Sequence, residues 1–82
     1  MNDKKLLAKI FQNPINSGIH WADIEKMLRK IEGLDVIEGA GSKVAFYKKQ
    51  SELSIHRPHP SKESLRYRVK LVREFLIEIG EV

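Results

Sequence analysis

The chain has 82 residues, of which 41% are hydrophobic and 32% are charged, a composition typical of one small globular domain. It contains no cysteine, which excludes a disulfide framework, a thiolate zinc site and a cysteine nucleophile. No apolar run approaches the roughly 20 residues of a membrane span, and the polar first residues lack the apolar core of a signal peptide. We therefore expect a single domain over residues 1–82, located in the cytoplasm without membrane contact.

The net charge of +4 is unevenly distributed along the chain. Residues 1–39 carry six basic and six acidic side chains, whereas residues 40–73 carry nine basic and two acidic ones. Residues 74–82 add three glutamates and no basic residue. A basic segment of this kind is typical of a surface that binds a polyanion such as RNA, although many basic segments are merely solvated.

Apolar residues with helical spacing predict two helices in the first part of the chain. The first is predicted over Asp3–Gln12, with Asp3 as its N-terminal cap. The second is predicted over Trp21–Glu32, with Trp21 as an apolar anchor beneath it and Gly33 as a left-handed C-terminal cap.

Three short segments of alternating or β-branched residues predict strands, namely Leu34–Ile37, Val44–Tyr47 and Leu53–Arg57. The connections between them are too short for parallel crossovers, so the sheet should be an antiparallel meander. In the third strand, Leu53 and Ile55 should face the core, which leaves Ser54 and His56 on the open face.

A long final helix is predicted from Ser61 to Ile79, with Gly80 as its C-terminal cap. Its apolar stripe consists of Leu65, Val69, Val72, Leu76 and Ile79. The element order is then α-α-β-β-β-α. The sequence therefore predicts a two-layer α+β domain in which two helices cover one face of a three-stranded antiparallel sheet.

The same helix carries a basic stripe along one flank, formed by Lys62, Arg66, Lys70 and Arg73. One interpretation is a solvated amphipathic helix stabilised by charge pairs with Glu63 or Glu74. The other, favoured by the segregation of basic from acidic residues, is a row of cations that binds phosphates.

The candidate chemical groups lie close to this helix in sequence. Imidazole exchanges a proton near neutral pH, and His56, Arg57, His59 and Lys62 lie within seven residues, where they could hold and attack a phosphodiester. His20 fits better as a residue that starts a helix. A His-x-x-His spacing without a third ligand does not favour a zinc site, so we expect no metal and no cofactor.

The glycine-rich turn before the second strand is a weaker signal. Gly39-x-Gly41 lacks the length and the following helix of a phosphate-binding loop, and such a turn is more often a tight hairpin. Ser42 and Lys43 end this turn at the edge of the sheet, so a phosphate contact there stays open.

The chain resembles the HicA family of toxins, the ribonuclease half of a bacterial toxin–antitoxin pair. The resemblance covers nearly the whole chain and is carried by the segments Gly41–Phe46, His56–Pro60 and Val72–Gly80. It implies a fold like that of a double-stranded-RNA-binding domain, cleavage of mRNA as an endoribonuclease, and neutralisation by a HicB-type antitoxin. It is closest to a variant of the family with an additional N-terminal helix.

One position departs from the family pattern. The family has Gly-Ser-His-x-x-Phe, in which the histidine is regarded as catalytic, whereas this chain has Lys43 in its place. A lysine ammonium binds phosphate but is a poor base at neutral pH. The resemblance therefore leaves Lys43, His56 and His59 as candidate catalytic groups, and Ser42, Lys43, Arg57, Lys62, Arg66, Lys70 and Arg73 as candidate RNA-binding residues.

The sequence is compatible with two other functions. The missing histidine is compatible with an RNA-binding module that does not cleave. The basic surface is also compatible with a protein-interaction domain that docks an acidic antitoxin.

Overall fold

The elements follow the predicted order. The computed structural model describes residues 3–16, 18–58 and 66–81. Its elements are α1 (Asp3–Ile10), α2 (Trp21–Arg29), β1 (Asp35–Glu38), β2 (Lys43–Lys48), β3 (Ser51–His56) and α3 (Arg66–Glu78). The prediction of an α+β domain with a three-stranded antiparallel sheet is confirmed. None of the helices in these described ranges is long and apolar enough to span a bilayer.

The sheet is a meander in the order β1-β2-β3, with both pairs antiparallel. The turn from β1 to β2 places Gly41 at φ +64°, a left-handed conformation that glycine adopts without strain. The turn from β2 to β3 is a two-residue hairpin, and this places Lys43 opposite His56 in the register. The centre of the sheet is therefore β2, and the end of β3 lies beside the start of β2.

Alternation along the strands separates a core face from an open face. Val44 and Phe46 of β2 and Leu53 and Ile55 of β3 are buried, as the period of two predicts. Ser54 and His56 are exposed on the other face, which confirms their predicted orientation. None of the described helices lies above the open face, because the buried residues of all three join the opposite face in one cluster.

The helices pack as their apolar stripes predict. Val69, Val72, Leu76 and Ile79 are buried, and Phe75 joins them although the predicted stripe omitted it. Leu65 lies outside the described residues. Trp21 is the predicted anchor: its ring meets Phe46 edge-on, with the ring centroids 6.1 Å apart. The first helix α1 packs on α2 and α3 and extends the same core.

Two helix ends differ from the sequence-based bounds. Asp3 is in the first turn of α1 and pairs with Lys30 at 3.3 Å, so it does not act as a cap outside the helix. The helix α2 ends at Arg29, three residues early, with Lys30 as a C-cap in the right-handed region. Gly33 does have a φ of +80°, but it lies in the turn beyond that cap.

The predicted cap at the other end of the chain is confirmed. Gly80 has a φ of +79° and its N–H donates to the carbonyl of Ile77 at 3.1 Å. The next N–H, of Glu81, donates to the carbonyl of Leu76 at 3.0 Å. This pair of bonds is the Schellman arrangement, which requires a left-handed residue at the position of Gly80.

Candidate nucleic-acid interface

Three of the predicted site residues meet at one end of the open sheet face. Lys43 and His56 are cross-strand partners, and the hydroxyl of Ser42 lies 3.5 Å from Nδ1 of His56. The backbone N–H of Arg57 donates to the carbonyl of Ser42 at 2.9 Å, which extends the strand pairing past His56. Two strands thus position a hydroxyl, an ammonium and an imidazole side by side.

This cluster is open to a ligand. Ser42, Lys43 and His56 are all exposed, and Lys43 has no carboxylate partner among the described residues. A serine that contacts Nδ1 can hold the imidazole ring in one orientation, which leaves Nε2 directed at another group. An ammonium beside that imidazole is suited to binding a phosphate.

Arg57 has a different environment from the one its sequence position suggests. Its guanidinium donates two hydrogen bonds to the carboxylate of Glu25, at 2.7 and 2.8 Å. Its Nη2 also lies 2.8 Å from the carboxylate of Glu38. The prediction that Arg57 binds phosphate stays a prediction, but this structure commits its guanidinium to two carboxylates that join β3 to α2 and β1.

Glu25 is the centre of this ion-pair network and was not singled out from the sequence. Its carboxylate also accepts hydrogen bonds from Trp21 Nε1 at 3.0 Å and from Arg29 at 2.9 and 3.1 Å. The hydrogen bond from Arg57 is the main reason that the pKa of Glu25 falls to about 2. The same contact raises the pKa of Arg57.

Part of this network was accessible from the sequence. Trp21, Glu25 and Arg29 lie four residues apart on one face of α2, a spacing at which helical side chains meet. Arg57 is 32 residues from Glu25, and no local pattern indicates that contact.

Arg73 of the predicted basic stripe holds two helices together. Its guanidinium donates to the carbonyl oxygens of Ile10, at 2.8 and 3.1 Å, and Gln12, at 2.9 Å, and to the side chain of Asn13 at 3.2 Å. It also lies over the ring of Phe11, with 5.4 Å between the guanidinium carbon and the ring centroid. Arg73 therefore satisfies carbonyl groups that the end of α1 leaves without helical partners.

The position of Arg73 also indicates which way the other described residues of the basic stripe face. On the helical wheel, Arg66 and Lys70 lie within about 60° of Arg73, so they share the flank of α3 that faces the end of α1. Both are exposed. This flank does not belong to the open sheet face, so the stripe and the Ser42–Lys43–His56 cluster form two separate surfaces. His59 and Lys62 lie outside the described residues.

A shallow groove of about 380 Å³ runs along the open sheet face from the cluster. It is lined by Ile37, Gly39, Ala40, Lys43, Ala45, Tyr47, Glu52 and Ser54. Glu52 accepts hydrogen bonds from the hydroxyls of Tyr47 at 3.0 Å and Ser54 at 2.9 Å, both on Oε2. The bond to Glu52 raises the pKa of Tyr47. The alternation of residues along β2 and β3 could have predicted this groove, because it places every β2 and β3 residue that lines the groove on the open face.

No protein-family model, no curated protein and no solved structure matches the chain. The cluster of Ser42, Lys43 and His56 and the short motifs in the sequence are therefore the guides to function.

Proposed function

We propose that this protein is an RNA-binding toxin of the HicA type, an endoribonuclease that cleaves mRNA and is neutralised by a HicB-type antitoxin. The observation that carries the proposal is the cluster of Ser42, Lys43 and His56 on a sheet face that none of the described helices covers. The element order from α2 to α3 supports a fold like that of a double-stranded-RNA-binding domain, with α1 as an addition.

The proposed reaction is a transesterification within the RNA strand. Nε2 of His56 removes the proton of a ribose 2′-hydroxyl, and the 2′-oxygen then forms a bond to the adjacent phosphorus. The bond from phosphorus to the 5′-oxygen breaks, and this leaving oxygen takes a proton from water. The products are a 2′,3′-cyclic phosphate and a 5′-hydroxyl, and His56 returns its proton to the solvent.

Lys43 and Ser42 act on charge and orientation in this scheme. The ammonium of Lys43 lies beside His56 in the register and neutralises the negative charge that grows on the phosphate oxygens. The hydroxyl of Ser42, 3.5 Å from Nδ1, orients the imidazole. The general base thus moves from the family's position, occupied here by Lys43, to the facing residue on β3.

The test is induced expression in bacteria, followed by primer extension on cellular mRNA. We expect His56→Ala to abolish cleavage and growth arrest, because the variant has no group that accepts the 2′-hydroxyl proton. His20→Ala is the matched control: His20 is also exposed, and its side chain makes no capping hydrogen bond at the start of α2.

His59→Ala belongs in the same experiment, because His59 is the other candidate base. Undiminished cleavage in both His56→Ala and His59→Ala would contradict the histidine mechanism. Loss in His59→Ala alone would move the base to that residue.

A second candidate function is an RNA-binding module without catalytic activity, and the specific observation in its favour is Lys43 at the position of the family's histidine. Purified protein that retards RNA in a gel, leaves it intact and causes no growth arrest would establish this alternative in place of the nuclease.

A further inference from the structure

Beyond the catalytic cluster, the open sheet face carries a carboxylate that phosphate binding does not explain. Glu52 lies in the groove together with Lys43, and its negative charge would repel a phosphate bound beside it. Its Oε2 accepts both hydroxyl hydrogen bonds, whereas Oε1 has no partner among the described residues. A carboxylate has about four acceptor sites, and because Oε2 already accepts two hydrogen bonds, the two that stay available to a ligand are both on Oε1.

We infer that this groove binds a guanine base of single-stranded RNA, and that the carboxylate of Glu52 recognises its Watson–Crick edge. This inference rests on the proposed function and names the base specificity of the same site. Guanine presents two adjacent donors on that edge, N1–H and N2–H, and Oε1 of Glu52 has two acceptor sites for them. Adenine, cytosine and uracil present no such adjacent pair of donors.

The spacing of the sheet suits one nucleotide. Residues on the open face form rows about 7 Å apart, because every second residue of an antiparallel strand faces the same way. Lys43 and His56 form the first row, Ala45 and Ser54 the second, and Tyr47 and Glu52 the third. A phosphate on the first row therefore places its base over the second row, with the edge of the base directed at Glu52.

The middle of the groove has the shape and polarity for a base. Ala45 is only 6% exposed and forms a small, flat floor between the two polar rows. Ile37 is its neighbour in the register and is 57% exposed, so it forms an apolar wall. Such a surface accepts the face of a base, and the hydroxyls of Tyr47 and Ser54 hold the carboxylate in place.

The test is an NMR titration of the purified protein with the four ribonucleoside 3′-monophosphates, following the amide signals of Ala45 and Ser54. We expect 3′-GMP to shift these signals and to bind about tenfold more tightly than the other three nucleotides. Glu52→Gln should remove this preference, because the amide replaces one acceptor with a donor. Glu32→Gln, an exposed change that lines a pocket on the helical side together with Lys30 and Leu7, should keep it.

Cleavage mapping on a mixed-sequence RNA separates this inference from the proposed function. Cuts adjacent to G that become indiscriminate in Glu52→Gln would support both. Cuts without base preference, or equal binding of all four nucleotides, would overturn the guanine site and leave the nuclease function standing. Selective binding of 3′-GMP by a protein that never cleaves RNA would support the guanine site and overturn the nuclease function.

Discussion

At the scale of the residue, Arg57 belongs to the basic segment of the sequence, but its ion pair with Glu25 stabilises the fold. The side chains of Glu25 and Arg57 are 15% and 25% exposed, so both charges are largely removed from water. Removal of one partner from such a pair leaves the other charge poorly solvated, and this costs more than the pair contributes when it is intact. Loss of the Arg57 guanidinium would therefore destabilise the fold, because it would leave the carboxylate of Glu25 poorly solvated.

Replacing Arg57 should destabilise the protein much more than replacing the other arginine bound to Glu25. We expect Arg57→Met to lower the free energy of unfolding by about 2 kcal/mol, because the carboxylate loses two charged hydrogen bonds in a largely buried site. Arg29→Ala should cost about 0.5 kcal/mol or less, since Arg29 is 44% exposed and pairs within its own helix. Urea denaturation measures both, and equal losses would contradict this account.

The ion pair also predicts how stability depends on pH. The pKa of Glu25 lies at about 2 in the folded protein, below the ordinary value of 4.5, so the folded state favours the ionised carboxylate. This stabilisation is fully present above about pH 5 and is lost as the pH falls toward 2.

The measurement is the free energy of unfolding between pH 5 and pH 2. Over this range we expect a smaller decrease for Glu25→Gln than for the wild-type protein, because the amide does not titrate. The control, Glu74→Gln, should follow the wild type. A decrease in Glu25→Gln as steep as in the wild type would show that other carboxylates govern acid unfolding.

At the scale of the element, the buried stripe and the basic flank of α3 make different contacts. The buried stripe from Val69 to Ile79 holds the helix on the core. The guanidinium of Arg73 then ties its flank to the end of α1 through backbone carbonyl groups. The positive charge of this residue is less important for the fold than the planar, forked arrangement of its N–H donors.

Arg73→Lys separates geometry from charge at this position. We expect it to lower the free energy of unfolding by about 1–2 kcal/mol, because one ammonium cannot reach the carbonyls of Ile10 and Gln12 and the side chain of Asn13 together. Lys70→Ala, an exposed change on the same flank, should stay within about 0.5 kcal/mol of the wild type. Thermal denaturation distinguishes the two, and an unchanged Arg73→Lys would mean that charge alone is sufficient.

At the scale of the whole molecule, the cations divide into two surfaces. Lys43 lies on the open sheet face, whereas Arg66 and Lys70 lie on the flank of α3 near α1. The three helices occupy the side of the sheet opposite the open face. We therefore expect a short RNA bound at Lys43 not to reach Arg66 and Lys70.

The salt dependence of RNA binding tests this division. For a short single-stranded oligonucleotide, we expect Lys43→Ala to reduce the slope of log affinity against log salt concentration by about 0.7, the contribution of one phosphate contact. Lys70→Ala should leave the slope unchanged. An equal reduction in both variants would show that the RNA extends over the α3 flank, as the basic stripe in the sequence suggests.

Much of the fold could be predicted, because it depends on local periodicity. The alternation of Leu53, Ser54, Ile55 and His56 determined which side of β3 enters the core, and the structure agrees. The helix ends were less accurate, since α2 ends at Arg29 through a cap that no glycine marks.

The candidate site was only partly predictable for the same reason. Ser42 and His56 were singled out separately, and the hairpin register brings them together. Glu52 was not singled out, because its hydrogen bonds to Tyr47 and Ser54 depend on the pairing and spacing of residues on one sheet face.

By itself, the sequence determined the order of the elements, the faces they bury and the concentration of basic residues in one segment. Only the tertiary structure decided which of those basic residues are available. Arg57 meets a carboxylate 32 residues away, and Arg73 meets a carbonyl 63 residues away. A side chain's periodic position is local information, whereas the partner of its charge is selected when distant segments pack together, and no spacing in the chain records that selection.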